Sequence, residues 1–236
     1  MKFLQLPELV SIDEVLRTGV EVEDMKIYGR LEAYSCKMAS SDKKIAKEVD
    51  EKCTEQLLES GALSPQSFGS FTGTSPIGPI AESATRKLLV NLISTLNASF
   101  ADYDFRTLGP NDFMRELSGD MVMSNINSSL MPVEDQHPGF LEHLWNIMNE
   151  IGDFREAEVY SYVPDMESDP LSMRQLWSFN YFIYNKKEKR MFFFAAWARR
   201  HVRSTSFDDE EERDEEEYEF VMDEEEAVED EDEERF

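Results

Sequence analysis

The stretch from Trp177 to Trp197 constrains the fold more than any other part of the chain. Trp177, Phe179, Tyr181 and Ile183 fall on one face at period two, and Phe182 and Tyr184 fall on the other. Aromatic and β-branched residues in this alternation favour a pleated, partly buried strand. Asn185 breaks the run, and Lys186, Lys187, Lys189 and Arg190 gather four cations around a tight connection. A second aromatic run, Met191 to Trp197, follows at once. The two runs therefore predict an antiparallel hairpin with a charged tip, whose aromatics Trp177, Phe179 and Tyr181 anchor a sheet. The lysines admit two readings, a solvated turn or a contact for a partner or import receptor.

Elsewhere the period alternates between helix and strand. Pro7–Thr18 carries Leu9, Ile12, Val15 and Leu16 at helical spacing, with Ser11 as a local cap. Met25–Met38 reads as a strand with apolar groups on both faces, which places it centrally in its sheet. Asp42–Ser60 carries a narrow stripe of Ile45, Val49, Cys53 and Leu57 on a charged helix. Residues 61–79 shift to Gly, Ser, Pro and Thr and read as a flexible linker. Ser83 is expected to cap a helix running to Ser99. Asn111–Leu130 reads as a less regular helix, and Pro138 as the first turn of another. From Ala157 the period returns to two. The pattern predicts an α+β fold: one globular domain over 1–207, with a mostly antiparallel sheet of four or more strands covered by helices.

Charge is concentrated at one end. Twenty acidic residues against two arginines give 208–236 a charge of −18, leaving −8 of the total −26 for residues 1–207. Such a like-charge block cannot bury enough apolar surface to offset its ordering entropy, so it is read as a disordered acidic tail. No apolar run approaches the roughly 20 residues of a spanning helix, and no signal peptide is evident. Cys36 and Cys53 are the only cysteines, without a CxxC spacing, which suits a reducing compartment.

Catalytic constellations are missing. His137, His143 and His201 have no metal-ligand spacing, and Gly69–Gly73 is not a nucleophile elbow. There is no P-loop and no dinucleotide turn. Asp102 and Asp104 form the one tempting carboxylate pair, better suited to a local Arg or backbone N–H groups than to catalysis. Neither a cofactor nor a metal is expected, and the chain does not read as an enzyme.

Three segments stand in order: Gly29–Met38 with Asp42–Lys44, Phe100–Phe105 preceded by the helix Lys87–Ser99, and Trp177–Arg190. Together they resemble the three boxes of the eukaryotic Maf-type global repressor of RNA polymerase III transcription. The chain departs from that pattern at Ile183, where an aromatic is usual, at Ala101 in place of Pro, and at Arg106 in place of Ser. The resemblance implies a non-enzymatic repressor of transfer-RNA and 5S ribosomal-RNA genes. Such a protein binds subunits of RNA polymerase III and blocks engagement with the initiation factor that contains TATA-binding protein. Lys186, Lys187, Lys189, Arg190, Asp102 and Asp104 are then candidates for partner contact or import.

The resemblance also implies control by kinases and phosphatases, with shuttling between nucleus and cytoplasm. The candidate sites are Ser60, Ser64, Ser67, Ser70 and Ser75 in the linker, and Ser204 and Ser206 beside Arg203. No membrane contact and no direct sequence-specific nucleic-acid binding are expected from a chain of this charge. The rival function is an acidic chaperone or adaptor for basic nuclear proteins, acting through the tail.

Overall fold

The computed structural model describes residues 1–40, 42–59, 74–164, 171 and 175–200. The acidic tail, most of the linker and the serines at 60, 64, 67, 70, 204 and 206 lie outside them. Nine strands and five α-helices are present among the described residues. They are β1 (Lys2–Phe3), α1 (Pro7–Thr18), β2 (Val20–Val22), β3 (Met25–Ser35) and α2 (Asp42–Glu59), then β4 (Thr74–Ser75), β5 (Gly78–Pro79) and α3 (Ser83–Ser99). β6 (Phe113–Arg115), α4 (Gly119–Gln136), α5 (Phe140–Glu150), β7 (Glu158–Tyr162), β8 (Gln175–Asn185) and β9 (Arg190–Arg200) complete the order.

The main sheet is antiparallel throughout, in the order β1-β3-β9-β8-β7-β6, with β2 also paired to β3. The expected hairpin is its spine: Tyr184 faces Met191 and Phe182 faces Phe193 across the β8–β9 pair. β3 is paired on both sides, so both of its faces can be buried, as its sequence requires. Alternation then builds two cores. One face carries Ile27, Leu31, Phe179, Ile183, Phe192 and Phe194 into a core shared with α1, α4 and α5. The other sends Tyr34, Phe182 and Phe193 against α2 and α3.

Local chemistry corrects several expected boundaries. Pro7 opens α1 at its first turn and Leu6 is the N-cap, so Ser11 lies inside the helix rather than capping it. Gly19 ends the helix at φ 81°, and a Cβ there would stand 2.6 Å from the Lys26 and Tyr28 side chains. Ser83 is the first helical residue of α3, and Glu82 occupies the cap. The Asn111–Leu130 region is two elements: Phe113 pairs into the sheet and packs on Tyr162 and Phe182, and α4 starts only where Ser118 Oγ accepts from Met121 N. α5 begins after Pro138, at Gly139. The Glu134 carboxylate accepts from Gly139 N and Leu141 N and does the capping instead.

The linker is also shorter than its composition suggests. Residues 74–79 form the β4–β5 ribbon, Ile77 and Ile80 are buried in the second core, and Arg115 N donates to Pro76 O. Two buried isoleucines fasten a segment that Gly, Ser and Pro alone would leave loose.

Candidate functional site

The three motif segments meet on the face of the sheet that α2 and α3 cover. Register sets out the arrangement. On β3, β9 and β8 the residues stand in cross-strand rows: Lys26, Arg199 and Gln175; then Tyr28, Trp197 and Ser178; then Arg30, Ala195 and Asn180; then Glu32, Phe193 and Phe182. The last of these rows is roofed by the second core, with Phe193 and Phe182 fully buried. In the first three rows Ala195 is still buried in the second core and Trp197 packs against it, while Lys26, Arg30, Arg199, Gln175, Ser178 and Asn180 bring in polar or cationic groups.

A buried carboxylate ties the segments together at the boundary. Glu32 is 6% exposed, and its Oε2 accepts from Tyr34 OH and Ser99 Oγ, each at 2.7 Å. Arg17 Nη2 donates to Glu32 Oε1 at 3.3 Å, and Asp13 Oδ1 accepts from Leu31 N. Arg30 donates to the Ser99 carbonyl, lies 3.8 Å from Glu32, and stands over the Phe100 ring at 4.5 Å. Burial lowers the Arg30 pKa, with Glu32 opposing; burial and then Glu32 push the Tyr34 phenol well above its ordinary value. The carboxylate thus joins α1, β3 and α3, and each of its oxygens has a donor, as a buried charge requires.

The segment after α3 folds around its own partners. Asn97 Oδ1 accepts from Phe105 N, and Phe105 is buried beside Phe100 and Tyr162. Asp104 accepts from Arg106 N at 3.0 Å and from Arg106 Nε at 2.8 Å. These side-chain and backbone bonds hold the Asp104 carboxyl down at about 2. Arg106, one of the three departures from the pattern, is therefore the partner of Asp104. Asp102 goes elsewhere, to the rim of a cavity, so the two carboxylates do not act as a pair. Among the described residues no group of three or more His, Cys, Asp or Glu could hold a metal ion.

The hairpin tip is wired differently from its sequence impression. Lys186 Nζ lies 2.8 Å from Glu158, Lys187 Nζ 3.9 Å from Glu156, and Arg190 Nη1 3.1 Å from Glu188. Lys189 takes the left-handed position at φ 55°, its carbonyl accepts from Cys36 N, and it has no carboxylate partner among the described residues. Burial alone would raise the Glu158 carboxyl; Lys186, Tyr160 and Arg115 outweigh it and hold the carboxyl below its ordinary range. The tip presents balanced charge rather than a bare cationic patch. Trp177, Phe179 and Tyr181 lie on the opposite sheet face, stacked in series, and Tyr181 OH accepts from Asn125. Ser75, the one linker candidate among the described residues, donates its hydroxyl to Gly78 O at 2.7 Å.

Beyond the Glu32 row the open end of the same face encloses a cavity of about 180 Å³. Arg30, Phe100, Tyr103, Asn180, Trp197 and Arg199 are among its walls, so all three motif segments contribute. Sequence reasoning missed these residues except as members of motifs. The available signal was the interruption of an apolar alternation by Ser178 and Asn180, and of an aromatic run by Ala195.

Comparisons with known proteins agree with this convergence. The family model described as "Maf1 regulator" matches residues 27–195. The repressor of RNA polymerase III transcription maf1 of Schizosaccharomyces pombe is 36% identical over 193 residues, covering 81% of this chain and 80% of that protein. The repressor of RNA polymerase III transcription of Dictyostelium discoideum is 31% identical over 230 residues, covering 81% and 82%. A crystal structure of citrus MAF1 superposes with a TM-score of 0.60 at 29% identity, covering 82% of this chain and 99% of that one.

Proposed function

This chain belongs to the Maf1 regulator family, and on that premise we propose that it represses transcription by RNA polymerase III. The observation that carries the reading is the meeting of the three motif segments on one sheet face, within the residues that the family match spans. A surface assembled from three distant segments suits recognition of a protein partner, which needs area and shape rather than a reactive group.

In this reading the protein binds the polymerase and occupies the place where the initiation factor containing TATA-binding protein would engage. The effect is steric, so the chain supplies no bond-making residue. Lys186, Lys187, Lys189 and Arg190 form one contact edge. Their paired carboxylates set the register of the encounter more than its strength, because exposed ion pairs are individually worth little. Phosphorylation at Ser75 or at the serines outside the described residues adds nearly two negative charges each. Such a charge near Arg199, Arg200 and Arg203 would switch import and retention between nucleus and cytoplasm.

The acidic-chaperone reading draws only on residues 208–236, while the family match falls on 27–195. Titrating the purified chain into a reconstituted transcription reaction on a transfer-RNA gene tests the proposal. Transcript yield should fall as the chain saturates the polymerase, and it should recover when polymerase is added. Undiminished transcription at saturating protein would refute it.

A further inference from the structure

The open end of the motif-bearing sheet face is built like a ligand site, and the repressor reading does not use it. Asn180 is 7% exposed, lines the cavity, and makes no side-chain hydrogen bond with any described residue. Gln175 Oε1 is buried on the same wall without a partner. A buried acceptor left unpaired, as Gln175 Oε1 is, costs stability, and its retention is explained when a ligand completes it. Around them stand a stacked aromatic pair and cations. Tyr28 and Trp197 lie 6.1 Å apart at 19°, Lys26 Nζ sits over the Tyr28 ring, and Arg199 has no ion pair among the described residues. Asp102 and Tyr103 close the rim.

We propose that this cavity and the adjoining Lys26–Tyr28–Trp197–Arg199 surface bind single-stranded nucleic acid, with one base held in the cavity. The chemistry divides cleanly. The Asn180 amide and the unpaired Gln175 Oε1, with the Asp102 carboxylate, offer acceptors and donors to the amino and imino edge of a base. Tyr103 and Trp197 offer ring faces for stacking, which every base can use. Lys26 and Arg199 flank the cavity where the strand's phosphates would run.

About 180 Å³ admits a base but not a whole nucleotide, so sugar and phosphate remain on the open surface. An acidic peptide side chain fits less well: it would meet Asp102 with like charge and would supply no donor to Gln175 Oε1. A duplex is excluded by its paired base edges. The proposal departs from the expectation of no direct sequence-specific nucleic-acid binding only at the one base held in the cavity, and it is independent of the repressor reading.

The test uses the full chain and a fluorescently labelled single-stranded RNA of about a dozen nucleotides, within the usual site sizes, read by anisotropy. Binding should weaken as salt rises, with a log–log slope of about −1.5 to −2 for two or three phosphates. Arg199→Glu and Tyr103→Ala, both at exposed positions, should each raise Kd at least about tenfold, a typical loss for one stacked base or one phosphate contact. Thermal melts of both variants should match the parent, and Lys47→Glu on the exposed side of α2 should bind as the parent does. The proposal is overturned by absence of binding at low salt, by equal competition from a duplex of the same sequence, or by variants that bind unchanged. It is also overturned if an acidic aromatic peptide binds the site and the RNA does not.

Discussion

At the tip of the β8–β9 hairpin, Lys186, Lys187 and Arg190 stand 2.8, 3.9 and 3.1 Å from carboxylates. At the other end of the same two strands, Arg199 has no ion pair and Asn180 no side-chain hydrogen bond among the described residues, and Gln175 Oε1 is buried without a partner. The tip displays more charge in the sequence, and the fold neutralises most of it locally. The open end draws little notice in the sequence, yet the fold leaves Gln175 Oε1 and Arg199 uncommitted among the described residues, while Arg30 is bonded to the Ser99 carbonyl and Lys26 lies 3.9 Å from Glu21. A cluster of lysines is thus a poor guide to where free binding capacity lies; the wiring of each group decides it.

Substitutions at the two ends probe that contrast, beginning with the largest expected effect. Phe193 is fully buried in the row that separates the roofed core from the open end. Phe193→Ala should lower stability by about 3–5 kcal/mol in urea unfolding, as for other buried aromatics. Its neighbour in the next row should behave oppositely. Asn180→Ala should cost under about 1 kcal/mol, because no hydrogen bond within the described fold is lost. A loss above about 2 kcal/mol would mean that the fold already satisfies the amide.

Glu32 supplies the second contrast. Glu32→Ala strands Arg30 and removes the acceptor of Tyr34 and Ser99, so a loss of about 3 kcal/mol is expected, as for a broken buried pair. Glu32→Gln should recover part of that loss. At the tip, Lys186→Ala should change stability by only about 1 kcal/mol, because Lys186 itself is exposed and Arg115 and Tyr160 still hold the partly buried Glu158. Combined reversal at Lys186, Lys187 and Lys189 should still weaken capture of purified polymerase. Capture equal to that of the parent protein would remove the tip from the contact surface.

The smallest effect is a pH one. Asp104 is held at about 2 by Arg106, below the roughly 3.9 of an unfolded Asp. A depressed carboxyl contributes stability that is present above the unfolded value and is lost as pH falls from about 4 towards 2. Arg106→Ser should return the Asp104 carboxyl to the ordinary range in a carbon-13 titration. It should also remove that shallow pH dependence, with little change at neutral pH because the pair is exposed. An Asp104 titration that does not move would detach the pair from its assigned partner.

Much of the fold was legible. Period-two aromatics placed β8 and β9, and Pro7 to Thr18 was readable as α1 from Leu9, Ile12 and Leu16 alone. The failures have particular causes. Phe113 looked like one apolar position on a helix, but a seat between Tyr162 and Phe182 draws it into the sheet. Ile77 and Ile80 fasten a ribbon inside a Gly- and Pro-rich stretch whose composition reads as loose. The site was legible only as three motifs. That Arg30, Asn180 and Trp197 share a cavity follows from pairing register between distant strands, which no local pattern encodes. The pairing of Asp104 with Arg106 was closer to hand, since the two stand two residues apart.

The central claim is repression by occlusion of the polymerase, and one measurement addresses it directly. Purified polymerase is added to a transfer-RNA promoter already carrying the initiation factor that contains TATA-binding protein, with and without this chain, and the assembled complex is quantified on a native gel. The account predicts that prior incubation of polymerase with the chain abolishes the assembled band, and that excess initiation factor restores it. A full-strength band at saturating chain, or a band supershifted by the chain riding on the complete assembly, would contradict it.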